Sequence, residues 1–459
     1  MKSADVIVVG GGIAGIACAL RLAMGRLRVI LLETRRKLGG RATSFIDVRS
    51  GEVLDNCQHV TLGCCTNYLD LLSLLGVADR ITWSREQYWL EPGGRLSVVA
   101  PGLLPAPLHF AGSVATAGFL SLAQKHALGH AMRRILRADR ADWATRTFDQ
   151  FLREAGQDDA AIRSFWSPVV VSACNLGVNR VSAGVALQVF QEGFLANRHA
   201  ADIGVSSVPL LRLYDRAEEV ITRAGGKVVL GFSATHVDAR RVEGLLGTQR
   251  VTLNADRVVC SLPPERAVEV IGEDLRRTDA RIDPLRRIGH SPIIGVHLFM
   301  DRPVLRLPHT VLVPDGDYGQ THWLFRKDAE GRAIHAVISA ADEWLDLDEE
   351  RIGERVMRDL RAYVPAAREA VPLRIRAVKE RRATFAATPG GESLRPCVIG
   401  EDPEGLVLAG DYTRTGWPAT MEGATRSGYM AAAAVLGLVP AALLVPDMPT
   451  APVARALGL

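Results

Sequence analysis

Gly10, Gly12 and Gly15 stand at the spacing Gly-x-Gly-x-x-Gly, directly after the apolar run Val6-Ile7-Val8-Val9. Each glycine has a physical task where a strand turns into a helix. Gly10 permits the tight turn, Gly12 lets the backbone approach a pyrophosphate, and Gly15 lets the helix pack close to the strand. Ile13 and Ala14 then open the helix, where N–H groups without intrahelical partners favour an anion. Glu33 ends the next apolar run, 21 positions after Gly12. An acidic side chain there accepts hydrogen bonds from ribose hydroxyls. The chemistry indicated is the binding of a dinucleotide.

Further segments narrow the dinucleotide. Leu38-Gly39-Gly40-Arg41 follows Glu33 almost at once. It resembles the GGR segment of flavoproteins related to amine oxidases and carotenoid desaturases, which implies FAD. By that resemblance Gly40 lies close to the cofactor and Arg41 meets its pyrophosphate through charge-assisted hydrogen bonds. Near the other end, Gly405-Leu406-Val407-Leu408-Ala409-Gly410-Asp411 reads as a strand and its exit. Asp411 can accept from ribityl hydroxyls. A loop then leads to Thr420 and a helix from Met421, whose positive N-terminal end would face the pyrimidine edge of the isoalloxazine. A third segment runs from Gly225-Gly226 to Val237 and on through Ala255 to Pro263. The resemblance implies that Val237 offers its backbone to the adenine.

These segments must be carried by an α/β fold. We expect a Rossmann-type FAD-binding domain of the GR2-like, discontinuous kind, built from 1–82, 205–275 and 395–445. An α+β substrate-binding domain would take 83–204 and 276–394, and 446–459 would form a C-terminal tail. The run at 293–300 predicts a strand of the substrate domain. Helical patterns fall at 148–165 and 348–363.

Four segments are similar to hydroxysqualene dehydroxylases, squalene-associated FAD enzymes of bacterial hopanoid pathways. They are Asp55-Asn56-Cys57-Gln58-His59, Leu104-Pro105-Ala106-Pro107, Phe165-Trp166-Ser167-Pro168, and Lys379 to Phe385 running on to the Gly416-Trp417-Pro418-Ala419-Thr420-Met421-Glu422-Gly423-Ala424 block. The family usually has glycine at the position of Cys57, and an aromatic is commoner at that of Cys65. The implied reaction is reductive removal of the hydroxyl of hydroxysqualene to give squalene, with reduced FAD as donor. The implied partners are this long isoprenoid and an unidentified electron donor. Such chemistry needs a proton for the leaving oxygen, a dry channel and an aligned hydride. His59 is the expected acid, titrating near neutrality, against the reading of a structural histidine that holds a loop. Gln58 would position the oxygen and Trp417 would wall the cavity, against ordinary core packing for Trp417. Asp202, Asp342 and Glu422 are alternative acids.

The bulk composition is consistent with this. A chain of 459 residues with 48% hydrophobic and 23% charged residues is an ordinary globular protein of several domains. A net charge of +4 gives no reason to expect nucleic acid. Seven cysteines, without Cys/His metal spacing, suggest free thiols and no metal. No signal peptide is visible, so a cytoplasmic location is expected. Two uncharged stretches, 96–124 and 427–446, are interrupted by prolines and read poorly as spans. An insoluble substrate suggests contact with the inner face of the bacterial membrane. Residues 119–140, with Leu128, Met132, Ile135 and Leu136 among Lys125, Arg133, Arg134, Arg137 and Arg140, could form an interfacial helix or a helix docked on the substrate domain. The rival functions are a carotenoid or phytoene-type desaturase, a flavin amine oxidase, and a flavin-bearing assembly factor without turnover. No lysine occurs between His290 and Met300, where amine oxidases commonly place one.

Overall fold

The computed structural model describes residues 4–459. The Val6–Val9 run is apolar throughout because its strand is buried on both faces. Val6 and Val8 join one core cluster while Ile7 and Val9 join another. This strand, Ala4–Val9, is the centre of a seven-stranded sheet. Lys227–Leu230, Val29–Glu33, Ala4–Val9, Gln249–Cys260 and Val407–Leu408 pair in parallel. Arg241–Leu246 and Phe232–Val237 complete the sheet as antiparallel strands.

Two helices, Ile13–Met24 and Met421–Val435, pack on this sheet and on each other. Small residues allow their approach: a Cβ on Gly428 would stand 2.4 Å from the Ala14 carbonyl.

A second seven-stranded sheet has the order Pro372–Phe385, His290–Met300, Ala333–Ser339, Trp323–Arg326, His309–Leu312, Gln87–Leu90, Leu96–Val99. One face packs on the Glu349–Tyr363 helix through Ile294, Val296 and Leu298. The opposite face, carrying Ile293 and Val337, looks onto helices Ser167–Cys174 and Ala183–Phe190 across a cavity. A small sheet of Val60–Leu62, Ile203–Ser206 and Ile81–Ser84 lies beside the cavity.

Local detail departs from sequence expectation where glycine intervenes. The pattern at 148–165 is not one helix. Phe148–Glu154 stops at Gly156, whose φ is +74°, and the chain restarts at Asp159 and passes through a π-helical turn, Ile162–Trp166. The strand leading to Val237 is likewise broken by Gly231, with φ +78°. Residues 119–140 contain the helix Leu122–Arg137. Leu128, Ala131, Ile135 and Leu136 are buried in the helical core, so its apolar stripe is spent on the protein itself. No helix among the described residues is long and apolar enough to cross a membrane.

Candidate active site

The glycine loop comes first. Gly10 has φ +111° and donates its N–H to Leu32 O at 2.8 Å. Gly12 is the extended residue before the Ile13–Met24 helix, which has no side-chain cap and no acidic residue in its first turn. Its first N–H groups therefore lack side-chain acceptors, the condition for an anion seat. Gly40 lies against this terminus: a Cβ on it would stand 2.9 Å from the Gly12 Cα, at φ +62°. The two glycine loops are also joined by Gly39 N–H donating to Gly11 O at 2.9 Å. Glu33 accepts from the N–H groups of Gly11 and Arg35, each at 2.7 Å. A carboxylate has about four lone-pair sites, so Glu33 is held in place with capacity left for hydroxyls.

Arg41 and Asp411, far apart in sequence, meet at 2.5 Å. Arg41 also donates to Ala383 O at 2.9 Å, and Asn56 Nδ2 donates to Arg41 O at 2.6 Å. Gly410, with φ +149°, donates to Ser427 Oγ at 2.8 Å and turns the strand exit toward this pair.

Val237 ends the Phe232–Val237 strand. It is wholly buried, and its carbonyl accepts from Gly272 N–H at 3.0 Å. One such bond leaves the carbonyl a second lone pair. The irregularity in this strand lies between Ala234 and His236, at Thr235.

Arg395 stands in the family-like stretch between Phe385 and Gly416, and it organises the loop after Asp411, a role its sequence position did not indicate. Its guanidinium is buried and donates to Asp411 O at 3.2 Å, Thr413 O at 2.5 Å and Trp417 O at 2.8 Å. It also pairs with Glu392 at 2.8 Å and lies over the Phe385 ring at 4.8 Å. The loop ends at Thr420, whose hydroxyl accepts from Gly423 N–H at 3.0 Å and caps the Met421–Val435 helix.

That helix terminus opens onto a cavity of about 250 Å³. Trp417, Pro418, Thr420 and Met421 form one side, and Ile293, Val311, Trp323, Phe325 and Val337 of the second sheet form the floor. Helical residues Val169, Ala173, Val189 and Phe194 form much of the remainder. The Arg426 guanidinium lies 4.9 Å from the Trp417 ring centre and backs this wall.

Gln58 lines the cavity, whereas His59 does not. Gln58 donates to His59 O at 3.1 Å and accepts from Lys327 Nζ at 3.0 Å. Lys327 also pairs with the buried Asp55 at 3.4 Å. His59 Nδ1 stands 3.2 Å from Cys57 O, and burial lowers the ring pKa. Cys57 packs with Phe325 and Val337 under the cavity floor, and burial pushes its thiol up to about 12. Cys65 lines the cavity wall.

Of the alternative acids, Asp342 pairs with Arg180 and Asp202 with His199, and neither lines the cavity. Glu422 does line it, but accepts from Tyr68 N–H at 2.7 Å, Asn67 Nδ2 at 2.9 Å and Arg426 Nε at 2.7 Å. Burial raises its pKa, opposed by Arg426 and these N–H donors. It serves as the bracket between the Met421–Val435 and Thr66–Leu74 helices.

Gly295 occupies the cavity-side strand where a lysine was sought. A Cβ there would stand 2.6 Å from His335 Nε2 and 3.1 Å from Asn56 O, so no longer side chain fits. Among the described residues no cluster suits a metal ion.

An uncapped helix terminus against glycine backbone, a held carboxylate and an Arg–Asp pair leading to an apolar cavity fit an extended dinucleotide whose ring end is large and flat. Comparison with known proteins agrees. The profile of the flavin containing amine oxidoreductase family matches residues 13–436. A hydroxysqualene dehydroxylase of Sinorhizobium fredii is 28% identical over 93% of this chain and 97% of its own length. A 15-cis-phytoene desaturase of Synechococcus elongatus is 25% identical over 94% of this chain and 95% of its own. Among solved structures, putrescine oxidase bound to putrescine superposes with a TM-score of 0.70 at 16% identity, over 95% of this chain and 99% of the other. Cyclohexylamine oxidase from Brevibacterium oxydans gives 0.66 at 17%, with the same coverage. At such identity these structures speak to the fold alone. The chain belongs to the flavin-containing amine oxidoreductase family and is an FAD-dependent oxidoreductase.

Proposed function

We propose that this protein removes the hydroxyl of hydroxysqualene reductively, giving squalene. The observation that carries the proposal is the cavity: its floor and most of its walls are apolar, and Gln58, braced by Lys327, supplies a polar point at one edge. The likeness to hydroxysqualene dehydroxylases at 28% and 29% identity supports the same reading. Bound FAD supplies the hydride in this chemistry.

The chain's own residues hold the cofactor and prepare the substrate. Gly10, Gly12, Gly15, Ile13 and Ala14 would seat the pyrophosphate, Glu33 the ribose, and Gly40, Arg41, Gly410 and Asp411 the stretch toward the ring. Thr420 and Met421 would present the helix terminus to the ring's edge. Trp417 and the floor residues exclude water, which would otherwise trap the allylic cation left by loss of the hydroxyl. Gln58 orients the oxygen: Lys327 occupies its carbonyl oxygen, and its amide nitrogen carries two protons, one of which goes to His59 O.

His59, next in the chain to the cavity-lining Gln58, is our candidate for the proton. Burial lowers its pKa below the ordinary 6.5. An acid of that kind works in its protonated form, so turnover should be full below the lowered pKa and fall as pH rises through it. His59→Ala should cost roughly 100-fold or more in kcat with flavin still bound. Near-normal turnover of that variant, or a pH profile unchanged by it, would remove His59 from the mechanism.

The deciding experiment reduces the purified holoprotein without oxygen and adds hydroxysqualene. Squalene should form as the flavin reoxidises. Absence of both sinks the proposal. A second reading, a phytoene-type desaturase running the hydride the other way, is favoured by relatives of that name at 24–25% identity. It predicts instead that phytoene reduces the oxidised holoprotein. An amine oxidase reading is weakened by Gly295 and the apolar floor, and predicts flavin reduction by a primary amine.

A further inference from the structure

The amphipathic helix Leu122–Arg137 buries Leu128, Ile135 and Leu136, yet the chain just before it exposes leucines of its own. Leu96, Val98, Leu103, Leu104 and Leu108 are all exposed, and Leu103 is fully so, at 100%. Leu96 and Val98 belong to the edge strand of the second sheet, and the other three sit on the loop that follows. The loop is braced at its base. Gly102 N–H donates to His109 O at 2.6 Å, Arg198 Nη2 to Gly102 O at 3.1 Å, and Ser113 Oγ to Ala100 O at 2.9 Å. The leucines are therefore held outward by a fixed scaffold. Exposing them to water has a cost that a soluble surface has no reason to carry.

Charge and position indicate what covers them. Between Glu91 and Asp139 the chain has no acidic residue, while Arg95, Lys125, Arg133, Arg134 and Arg137 all fall there; Arg95 pairs with Glu91 and Arg134 with Glu154, so Lys125, Arg133 and Arg137 carry the patch's net charge. Lys125 donates to Ala115 O and Arg198 to Gly102 O, so both cations are anchored on carbonyls. The same loop leads to the cavity. The Phe110 ring lies 6.3 Å from that of Phe194, which lines the cavity, and Trp89, on the strand paired with Leu96–Val99, lines it as well.

We propose that this loop, with Leu103 and Leu104 at its tip, is the surface on which the protein seats itself on an anionic phospholipid bilayer. The leucines enter the acyl boundary, the basic side chains meet the headgroups, and the Phe110–Phe194 end of the cavity faces the lipid. The inference rests on the isoprenoid reading for the choice of a bilayer as occupant, since the substrate would be drawn from there. It moves the apolar contact from the helix to the loop before it.

The test is vesicle flotation of the holoprotein, without substrate. Vesicles of phosphatidylcholine and phosphatidylglycerol in equal parts should carry the protein up, and pure phosphatidylcholine much less. Leu103→Asp with Leu104→Asp should reduce the floated fraction roughly tenfold or more. Because both side chains are exposed, its flavin content and its turnover of detergent-dispersed hydroxysqualene should match the parent. A double variant that floats like the parent, equal flotation on both vesicle types, or no flotation of the parent overturns the proposal. Detergent-phase turnover without flotation would leave the reaction standing and the surface refuted. Flotation lost with the leucines, but no turnover of any isoprenoid, would leave the surface standing and the reaction refuted.

Discussion

Gly15→Ala yields protein without bound flavin. A Cβ at this position stands 1.8 Å from the Gly10 carbonyl and 2.6 Å from Ser261 Oγ, and both belong to the framework of the first sheet. The helix must lift from the strand to admit it, and the anion seat at its terminus opens with it. The expected loss is near-complete flavin absorbance per mole of protein, with a destabilisation of about 3 kcal/mol. Two companions separate binding from folding. Gly12→Ala meets only the Gly40 Cα, at 3.9 Å, so it should fold while its methyl obstructs the pyrophosphate and weakens FAD affinity. Gly129→Ala, on the exposed side of the Leu122–Arg137 helix with nothing within 4 Å, should keep full flavin content and gain slightly in stability. Stoichiometric FAD in Gly15→Ala would show that the cofactor sits elsewhere.

Arg395→Met is expected to be almost as damaging, by another route. Methionine fills much of the volume over Phe385 but leaves the carbonyls of Asp411, Thr413 and Trp417 without their shared donor. Buried acceptors stripped of a charged donor cost about 3–5 kcal/mol together. The loop carrying Asp411 and Trp417 should loosen, so thermal unfolding of the holoprotein and the FAD dissociation constant should both shift strongly. Arg395→Lys should rescue only part, because one ammonium cannot serve the carbonyls that Nη2 reaches while also holding Tyr412 O, as Nε does, and Glu392, as Nη1 does. A melting temperature and flavin affinity close to the parent's in Arg395→Met would mean that the loop is held by its other contacts.

The two variants also mark what could be read from sequence. Gly10, Gly12, Gly15 and Glu33 are legible because their tasks are local: strand, turn, helix and next strand follow within thirty residues or so, and each step has its own residue preference. Arg41 and Asp411 were each legible as cofactor-side groups, but their 2.5 Å pairing depends on how two distant segments fold together. The contacts of Arg395 and Lys327 could not be read for the same reason, since an arginine or lysine in a loop usually reads as solvated surface. Val237 shows how far local pattern reaches. A strand ending in valine is recognisable, yet the bulge at Thr235 and the bond from Gly272 decide which backbone groups are spoken for, and neither has a residue signature. The apolar stripe of Leu122–Arg137 was equally clear as a pattern, but periodicity cannot say whether protein or lipid covers it.

The first sheet has a consequence for how the protein comes into being. Its parallel core draws on Ala4–Val9, Val29–Glu33, Lys227–Leu230, Gln249–Cys260 and finally Val407–Leu408. A ribosome releases residues in order, at about 5–20 per second. The glycine loop therefore emerges before its neighbour strands and waits for them, while the Thr420 helix terminus, which completes the cavity, follows all of them. A nascent chain has no finished flavin seat to offer, and its early, largely apolar strands stay open to wrong pairing meanwhile. Loading must wait for that terminus. Riboflavin-starved cells should then accumulate a full-length but aggregation-prone apoprotein, because the ligand that closes the sheet's three segments together is the one whose arrival is last.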